Sequence, residues 1–91
     1  MKNLRAVPVP AEGLTIRQIG NETIILAEAG EELHTLDETG TFVWSAIDGK
    51  KSLSQILDLI CVEYEVTHDR AGDDLFVFVE ALKGKGIISF L

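Results

Sequence analysis

Residues 36–49 read LDETGTFVWSAIDG, and this stretch divides the chain into two kinds of secondary structure. Before Leu36, apolar and polar residues alternate with a period of two, which is typical of strands. After Leu36 the apolar residues recur at helical spacing, as Phe42, Val43, Ala46 and Ile47. Asp37 or Thr39 can cap this helix, because a side-chain oxygen there accepts from the free N–H groups of the first turn. The stretch therefore predicts strands before it and helices after it.

Three short strands are predicted, over residues 14–19, 23–27 and 32–36. Turn-forming residues at 20–21 and 29–31 join them by short connections. Such spacing indicates an antiparallel meander. Residues 1–13 carry Pro8 and Pro10 and are predicted to form an extended N-terminal arm.

Three helices are predicted after the meander. The first ends at Asp48-Gly49, where glycine permits a left-handed stop. Ser52 and Gln55 have the spacing of a capping box for the second helix. The core stripe of the second helix comprises Leu53, Ile56, Leu57, Ile60 and Tyr64. Thr67 can cap the third, whose stripe comprises Ala71, Leu75, Phe78, Val79 and Leu82.

The predicted order β-β-β-α-α-α indicates an α+β fold. Three small helices on a three-stranded antiparallel meander are typical of a winged-helix-like domain, here over residues 14–91. Residues 87–91 form a short apolar tail, predicted to lie extended against the core.

The composition narrows the function. Fifteen acidic against eight basic residues give a net charge of −7, which disfavours nucleic acids and anionic membranes as partners. A single cysteine, Cys61, excludes an internal disulfide. The apolar runs are too short to span a membrane, and residues 1–11 lack a signal-like apolar core, so we expect a cytosolic protein. We find no nucleophile with a base and no metal-ligand spacing, and we expect no catalytic residue, metal or cofactor.

DNA binding is a distant alternative for a winged-helix-like domain. The last helix of such folds enters the major groove and needs basic side chains. Residues 52–82 carry seven acidic residues and one basic residue, Arg70. This charge would repel DNA.

Two features point to a binding surface. The third helix is unusually apolar at residues 76–79, and one buried face cannot accommodate all four side chains. A second stripe lies beside the core stripe and comprises Arg70, Asp74, Val77 and Ala81. This stripe either packs on another part of the domain, such as the N-terminal arm, or forms the wall of an apolar groove with a charged rim.

The second feature is the edge of the predicted third strand. It contains no proline or lysine to block pairing, so an extended peptide can add there as a further strand. The alternatives are an edge protected by Glu31 and Glu32, or pairing with a second copy. A small self-associating interaction domain, a homodimer through this edge, is therefore the second hypothesis for function.

Residues 36–49 resemble the PqqD-like family, which has a leucine, a polar cap, a small-residue helix start, an apolar-Trp pair and Asp-Gly in this order. The likeness extends over roughly residues 14–91. It continues through Ser52-Leu53, Ile56, Tyr64, Val66, Asp74-Leu75, Phe78-Val79, Leu82 and Gly86-Ile87. Asp37 stands where the family often has asparagine, and both residues are good caps.

The resemblance implies a peptide chaperone, also called a recognition element for ribosomally made, post-translationally modified peptides. Such a protein binds the leader segment of a precursor peptide and presents it to a modifying enzyme, often a radical S-adenosylmethionine enzyme. The pathway would be that of pyrroloquinoline quinone or a related peptide product. In the family the leader adds to the third strand and lies against the third helix.

The resemblance also implies the contact residues. From the strand they are Glu32, Leu33, His34 and Thr35. From the helix they are Arg70, Asp74, Val77, Phe78 and Ala81. For Asp74 a structural role near the start of the helix is an equal alternative.

Overall fold

The computed structural model describes residues 3–27 and 32–91. Its strands are β1 (Pro8–Pro10), β2 (Thr15–Ile19), β3 (Glu22–Leu26), β4 (Leu33–Leu36) and β5 (Ile88–Phe90). Its helices are α1 (Glu38–Ala46), α2 (Leu53–Tyr64) and α3 (His68–Gly84). The predicted turn at residues 29–31 lies outside the described residues.

The α+β class and the three-stranded antiparallel meander are confirmed. The sheet has the order β2-β3-β4. In the β3–β4 pair, Ile25 lies opposite His34 and Thr23 lies opposite Leu36. All four of these side chains are buried, because α1 covers this face of β3 and β4. β4 begins at Leu33, so Glu32 of the predicted strand lies just before it. The winged-helix description stays a prediction.

The strand-then-helix order was incomplete, because a second sheet joins the two ends of the chain. β1 lies within the predicted arm and pairs antiparallel with β5, with Val9 opposite Ser89. The arm also contacts α2: the N–H groups of Leu53 and Ser54 donate to carbonyl oxygens of the arm at 2.9 and 2.8 Å. These bonds satisfy donors that the first turn of a helix leaves free.

The predicted helix starts are confirmed. Asp37 caps α1 by accepting from the N–H of Gly40, Ser52 and Gln55 form the capping box of α2, and Thr67 caps α3. The predicted end of α1 was displaced: the helix ends at Ala46, and Ile47 is already extended. Gly49, with φ of 78°, belongs to the turn that follows.

The core lies between the three helices and the inner face of the sheet. The side chains of Ile25, Ile56, Val79 and Ile87 are fully buried. Because Ile87 comes directly before β5, the β1–β5 sheet closes one end of this core. The opposite end is left open between β4 and α3.

Candidate functional site

A groove of about 650 Å³ runs between the β4 edge and α3. One wall is the end of β4, and the other is α3 from Arg70 onward together with its C-cap, Lys85. The first turn of α1 with Asp37 contributes the floor. Tyr64, at the end of α2, closes the side near the start of α3. The exposed lining is mainly apolar, with polar groups placed at its margins.

The capping of α1 fixes the groove floor. Asp37 is the single residue between β4 and α1, and its Oδ1 accepts from the N–H of Gly40 at 2.8 Å. The hydroxyl of Thr41 lies 2.8 Å from that of Thr23, which ties α1 to β3. One polar residue therefore turns the chain from the edge strand directly into the floor.

Gly40 allows the third helix to approach this floor closely. A Cβ at this position would lie 3.3 Å from Cε1 of Phe78, and equally close to Leu36 and Asp37. A side chain at position 40 would therefore displace the Phe78 ring, or else Leu36 or Asp37. The small residue thus sets the position of the Phe78 ring, which lines the groove.

The free edge of β4 supplies backbone hydrogen-bonding groups beside this groove. β3 pairs with one side of β4, and no other strand among the described residues pairs with the second side. Since antiparallel hydrogen bonding alternates along a strand, every second residue of β4 directs its N–H and C=O away from β3. An extended peptide lying on the groove can bond to these groups.

Charges of both signs lie around the groove. Asp37 and Asp74 contribute carboxylates, and Arg70 and Lys85 contribute cations. The net charge of the groove lining is therefore close to zero, although the net charge of the whole chain is −7. Asp74 lies in the second turn of α3 and is exposed, and its carboxylate has no hydrogen bond or ion pair within residues 3–27 and 32–91. Capping of α3 is performed by Thr67.

The structure brings five of the nine expected contact residues to this groove: Thr35, Arg70, Asp74, Phe78 and Ala81. Leu33 is 67% exposed, on the sheet face opposite the core. His34 is buried on the core face, with its Nε2 3.9 Å from the carboxylate of Glu32.

Val77 lies outside the groove lining and is 72% exposed. It packs neither on the arm nor into the groove. The lining stripe of α3 passes through Phe78 instead, one residue further along the helix.

Sequence reasoning missed the contribution of α1 and α2 to this site. Thr39, Gly40 and Val43 of α1 line the groove, as do Ile60 and Tyr64 of α2. A glycine inside the first turn of a helix is the one sequence signal that could have indicated a close approach there. The others look like ordinary capping and core residues.

Among the described residues, no three His, Cys, Asp or Glu side chains come together to hold a metal ion. On the surface, Nε2 of His68 forms a hydrogen bond of 2.9 Å with Oδ1 of Asp58. Cys61 is half-buried, and its thiol is free. No helix of this part of the chain is long and apolar enough to cross a bilayer.

Comparisons with known proteins agree with this geometry. The family model described as Coenzyme PQQ synthesis protein D (PqqD) matches residues 22–88, which include β3, β4 and all three helices. The solved structure of TbiB1 in complex with the TbiA(beta) leader peptide superposes with a TM-score of 0.82 and 27% sequence identity. The match covers 89% of this chain and 94% of that chain. No curated protein matches the sequence. The family resemblance predicted from the sequence is confirmed.

Proposed function

This chain belongs to the PqqD family, and we propose that it binds the leader segment of a ribosomally made precursor peptide in the groove between β4 and α3. One observation carries the proposal: the edge of β4, which no other described strand pairs with, lies beside an apolar groove. The similarity to TbiB1, which was solved with a leader peptide, supports it.

The leader would add to β4 as a fourth strand. Its backbone would pair with the free groups of β4, which gives affinity, and its alternate side chains would enter the groove, which gives selectivity. Those side chains would contact Leu75 and Phe78, while the intervening ones would lie beside Leu33 on the outer face of the sheet. A leader with apolar residues at every second position fits this arrangement.

The size of the groove sets the length of leader that it holds. The lining on this side runs from Arg70 of α3 to the C-cap Lys85, a rise of about 22 Å at 1.5 Å per residue. An extended peptide covers this distance with about seven residues. β4 itself has four residues. We infer that four residues pair with the strand and that the ends of the segment reach Arg70 and Lys85, which favour carboxylates.

In this role the protein performs no chemistry. It orders a flexible leader and holds the attached core peptide near a modifying enzyme, which we propose to be a radical S-adenosylmethionine enzyme. The benefit is effective concentration, which raises occupancy about 10²- to 10⁴-fold without contacts at the reacting atoms. Ordering the leader costs about 2–5 kcal/mol, which the strand hydrogen bonds and apolar contacts offset. The cytosol, where precursor peptides are synthesised, is the proposed location.

Calorimetric titration with the N-terminal segment of the precursor encoded beside this chain tests the proposal. We expect a dissociation constant of about 1 μM or tighter, equivalent to about −8 kcal/mol. Ala81→Asp should weaken binding by about 1–3 kcal/mol, roughly 5- to 150-fold, because bound leader would desolvate an unpaired carboxylate.

Val77→Asp is the matched control, because it places the same charge on α3 about one turn away and outside the lining. We expect it to bind the leader nearly as well as the parent chain. Both positions are exposed, so both variants should fold. If no precursor peptide encoded near this chain gives a measurable heat of binding, the proposal is contradicted. Concentration-dependent sedimentation without peptide would instead favour a homodimer through the β4 edge.

A further inference from the structure

β2 forms the edge of the sheet opposite β4, and no strand within residues 3–27 and 32–91 pairs with its outer side. All five residues of β2 are exposed. Ile16 and Gln18 pair with Ile25 and Thr23, so their side chains point to the same side as the core. Ile16 is nevertheless 41% exposed, because α1 packs on β3 and β4 and does not extend over β2. β2 therefore projects from the domain with an uncovered inner face.

A second groove, of about 490 Å³, lies beneath this strand. The aromatic residues Phe42, Trp44 and Tyr64 line it. The rings of Phe42 and Tyr64 meet edge to face, with their centroids 5.5 Å apart. A rigid aromatic surface of this kind is suited to aliphatic or cationic side chains of a ligand.

The charge of this second groove differs from that of the first. Glu38 and Glu63 line it, and no lysine or arginine does so among the residues that the structure describes. Arg17, the only basic residue of β2, pairs with Ile24 and thus lies on the other face of the sheet. The groove therefore combines an aromatic floor, an acidic rim and a free strand edge.

We propose that this second groove binds an extended, basic segment of a partner protein. The segment would add to β2 as a strand, place an aliphatic side chain on the aromatic floor, and direct lysine or arginine toward Glu38 and Glu63. A second copy of this chain is a poor occupant. Its own β2 presents Ile16 and Gln18 on the inner face and no cation, and both copies would carry a charge of −7.

This surface is separate from leader binding. β2 lies at the edge of the sheet opposite β4, and it also lies outside the residues 22–88 that the family model matches. A partner could therefore dock on β2 while a leader occupies β4. Tyr64 lines both grooves and forms the wall between them.

Trp44 provides a direct measurement, because it is the only tryptophan and it lines the second groove but not the first. The probe is the synthetic peptide acetyl-Lys-Thr-Val-Thr-Lys-Thr-amide, which contains no aromatic residue and, as a strand, presents its valine and both lysines on one face. We expect saturable binding, with a blue shift of the Trp44 emission and a dissociation constant of about 10⁻⁵ to 10⁻⁴ M. Amide ¹⁵N–¹H signals should move across Thr15–Ile19 and remain in place at Thr35 and Ala81.

Two controls separate specific binding from attraction to an acidic protein. Glu63→Lys should weaken binding about tenfold, whereas Glu80→Lys, an equal charge change outside both grooves, should have an effect below about twofold. A probe N-methylated at all four interior residues keeps its charge but cannot pair as a regular strand through either edge, and it should not bind.

Equal losses in the two lysine variants, or signals that move at β4 instead of β2, would overturn the proposal. Dimerisation through β2 in sedimentation would also overturn it. None of these results depends on the leader, so leader titration continues to test the proposed function separately.

Discussion

Substituting Gly40 by alanine tests whether the groove floor positions Phe78. Gly40 is the third residue of α1 and is buried, and its backbone is not in the left-handed region. Alanine is therefore compatible with the backbone there. The added methyl group would lie 3.3 Å from three neighbours, of which Phe78 is half-buried and borders open groove. The ring must yield by a few tenths of an ångström, and the open side is the groove.

Two opposing effects determine the stability of Gly40→Ala. Replacing glycine by alanine in a compatible helical position stabilises by about 0.4–1 kcal/mol. The crowding opposes this gain: the half-buried Phe78 ring can relieve its own contact, whereas the contacts with Leu36 and Asp37 remain. We expect the free energy of unfolding to change by less than about 1 kcal/mol, or less than about 8 °C in Tm. Leader affinity should fall about tenfold, which is about 1.4 kcal/mol, since the displaced ring narrows the groove.

Gly72→Ala is the matched control for this experiment. Gly72 is a buried glycine of α3, and its added Cβ would meet only Leu57, at an ordinary van der Waals distance of 3.7 Å. Alanine at position 72 stabilises the helix in the same way but without crowding, and Gly72 does not line the groove. We expect Gly72→Ala to raise the free energy of unfolding by about 1 kcal/mol and to leave leader binding unchanged.

Urea denaturation and leader titration of the two variants provide the measurements. Full affinity in Gly40→Ala would refute the idea that this glycine sets the ring position. A loss of more than about 2 kcal/mol of stability would refute it in a different way, because it would show that the floor cannot yield. Equal loss of leader affinity in both variants would show that the effect is not local to the groove.

Two further predictions concern the scaffold. Leu75→Ala should lower the free energy of unfolding by about 2–5 kcal/mol in urea denaturation, because Leu75 is 2% exposed and its removal leaves a cavity. Hydrogen bonds from the Lys51 side chain, then from the backbone N–H groups of Lys51 and Lys50, hold the pKa of Asp48 well below its usual value of 3.8. Because folding lowers this pKa, the stabilisation is fully present above the unfolded-state pKa and is lost as the pH falls from there through the lower folded-state pKa. The free energy of unfolding, measured from pH 7 to pH 2, should therefore fall less with acid in Asp48→Asn than in the parent chain. An equal fall in both proteins would contradict this role of the Asp48 carboxylate.

The parts of the fold that the sequence predicted correctly are those coded by neighbouring residues. Asp37, Ser52 and Thr67 each cap a helix through a bond to a residue three positions further on. Such bonds depend on local spacing alone, so one sequence is sufficient to identify them. The meander is equally local, because its strands are close in the sequence: two residues separate β2 from β3, and six separate β3 from β4.

The β1–β5 sheet could not be predicted in the same way. Its two strands have three residues each, and Val9 pairs with Ser89 at the far end of the chain. A strand of three residues is too short for its alternation to be recognised, and two of the three residues of β1 are prolines. Only the closure of the core around Ile87 makes this pairing favourable, and that closure is a property of the folded domain.

The position of Val77 shows where pattern analysis of α3 reaches its limit. Residues 77 and 78 are both apolar, and helical spacing from Asp74 to Ala81 can pass through either one. Each residue turns the helix by about 100°, so the side chains of Val77 and Phe78 point more than a quarter of a turn apart. In the structure Phe78 is the one that lines the groove, and its ring lies 3.3 Å from where a Cβ of Gly40 would be. The decisive information for α3 thus lies in α1, almost forty residues earlier in the chain.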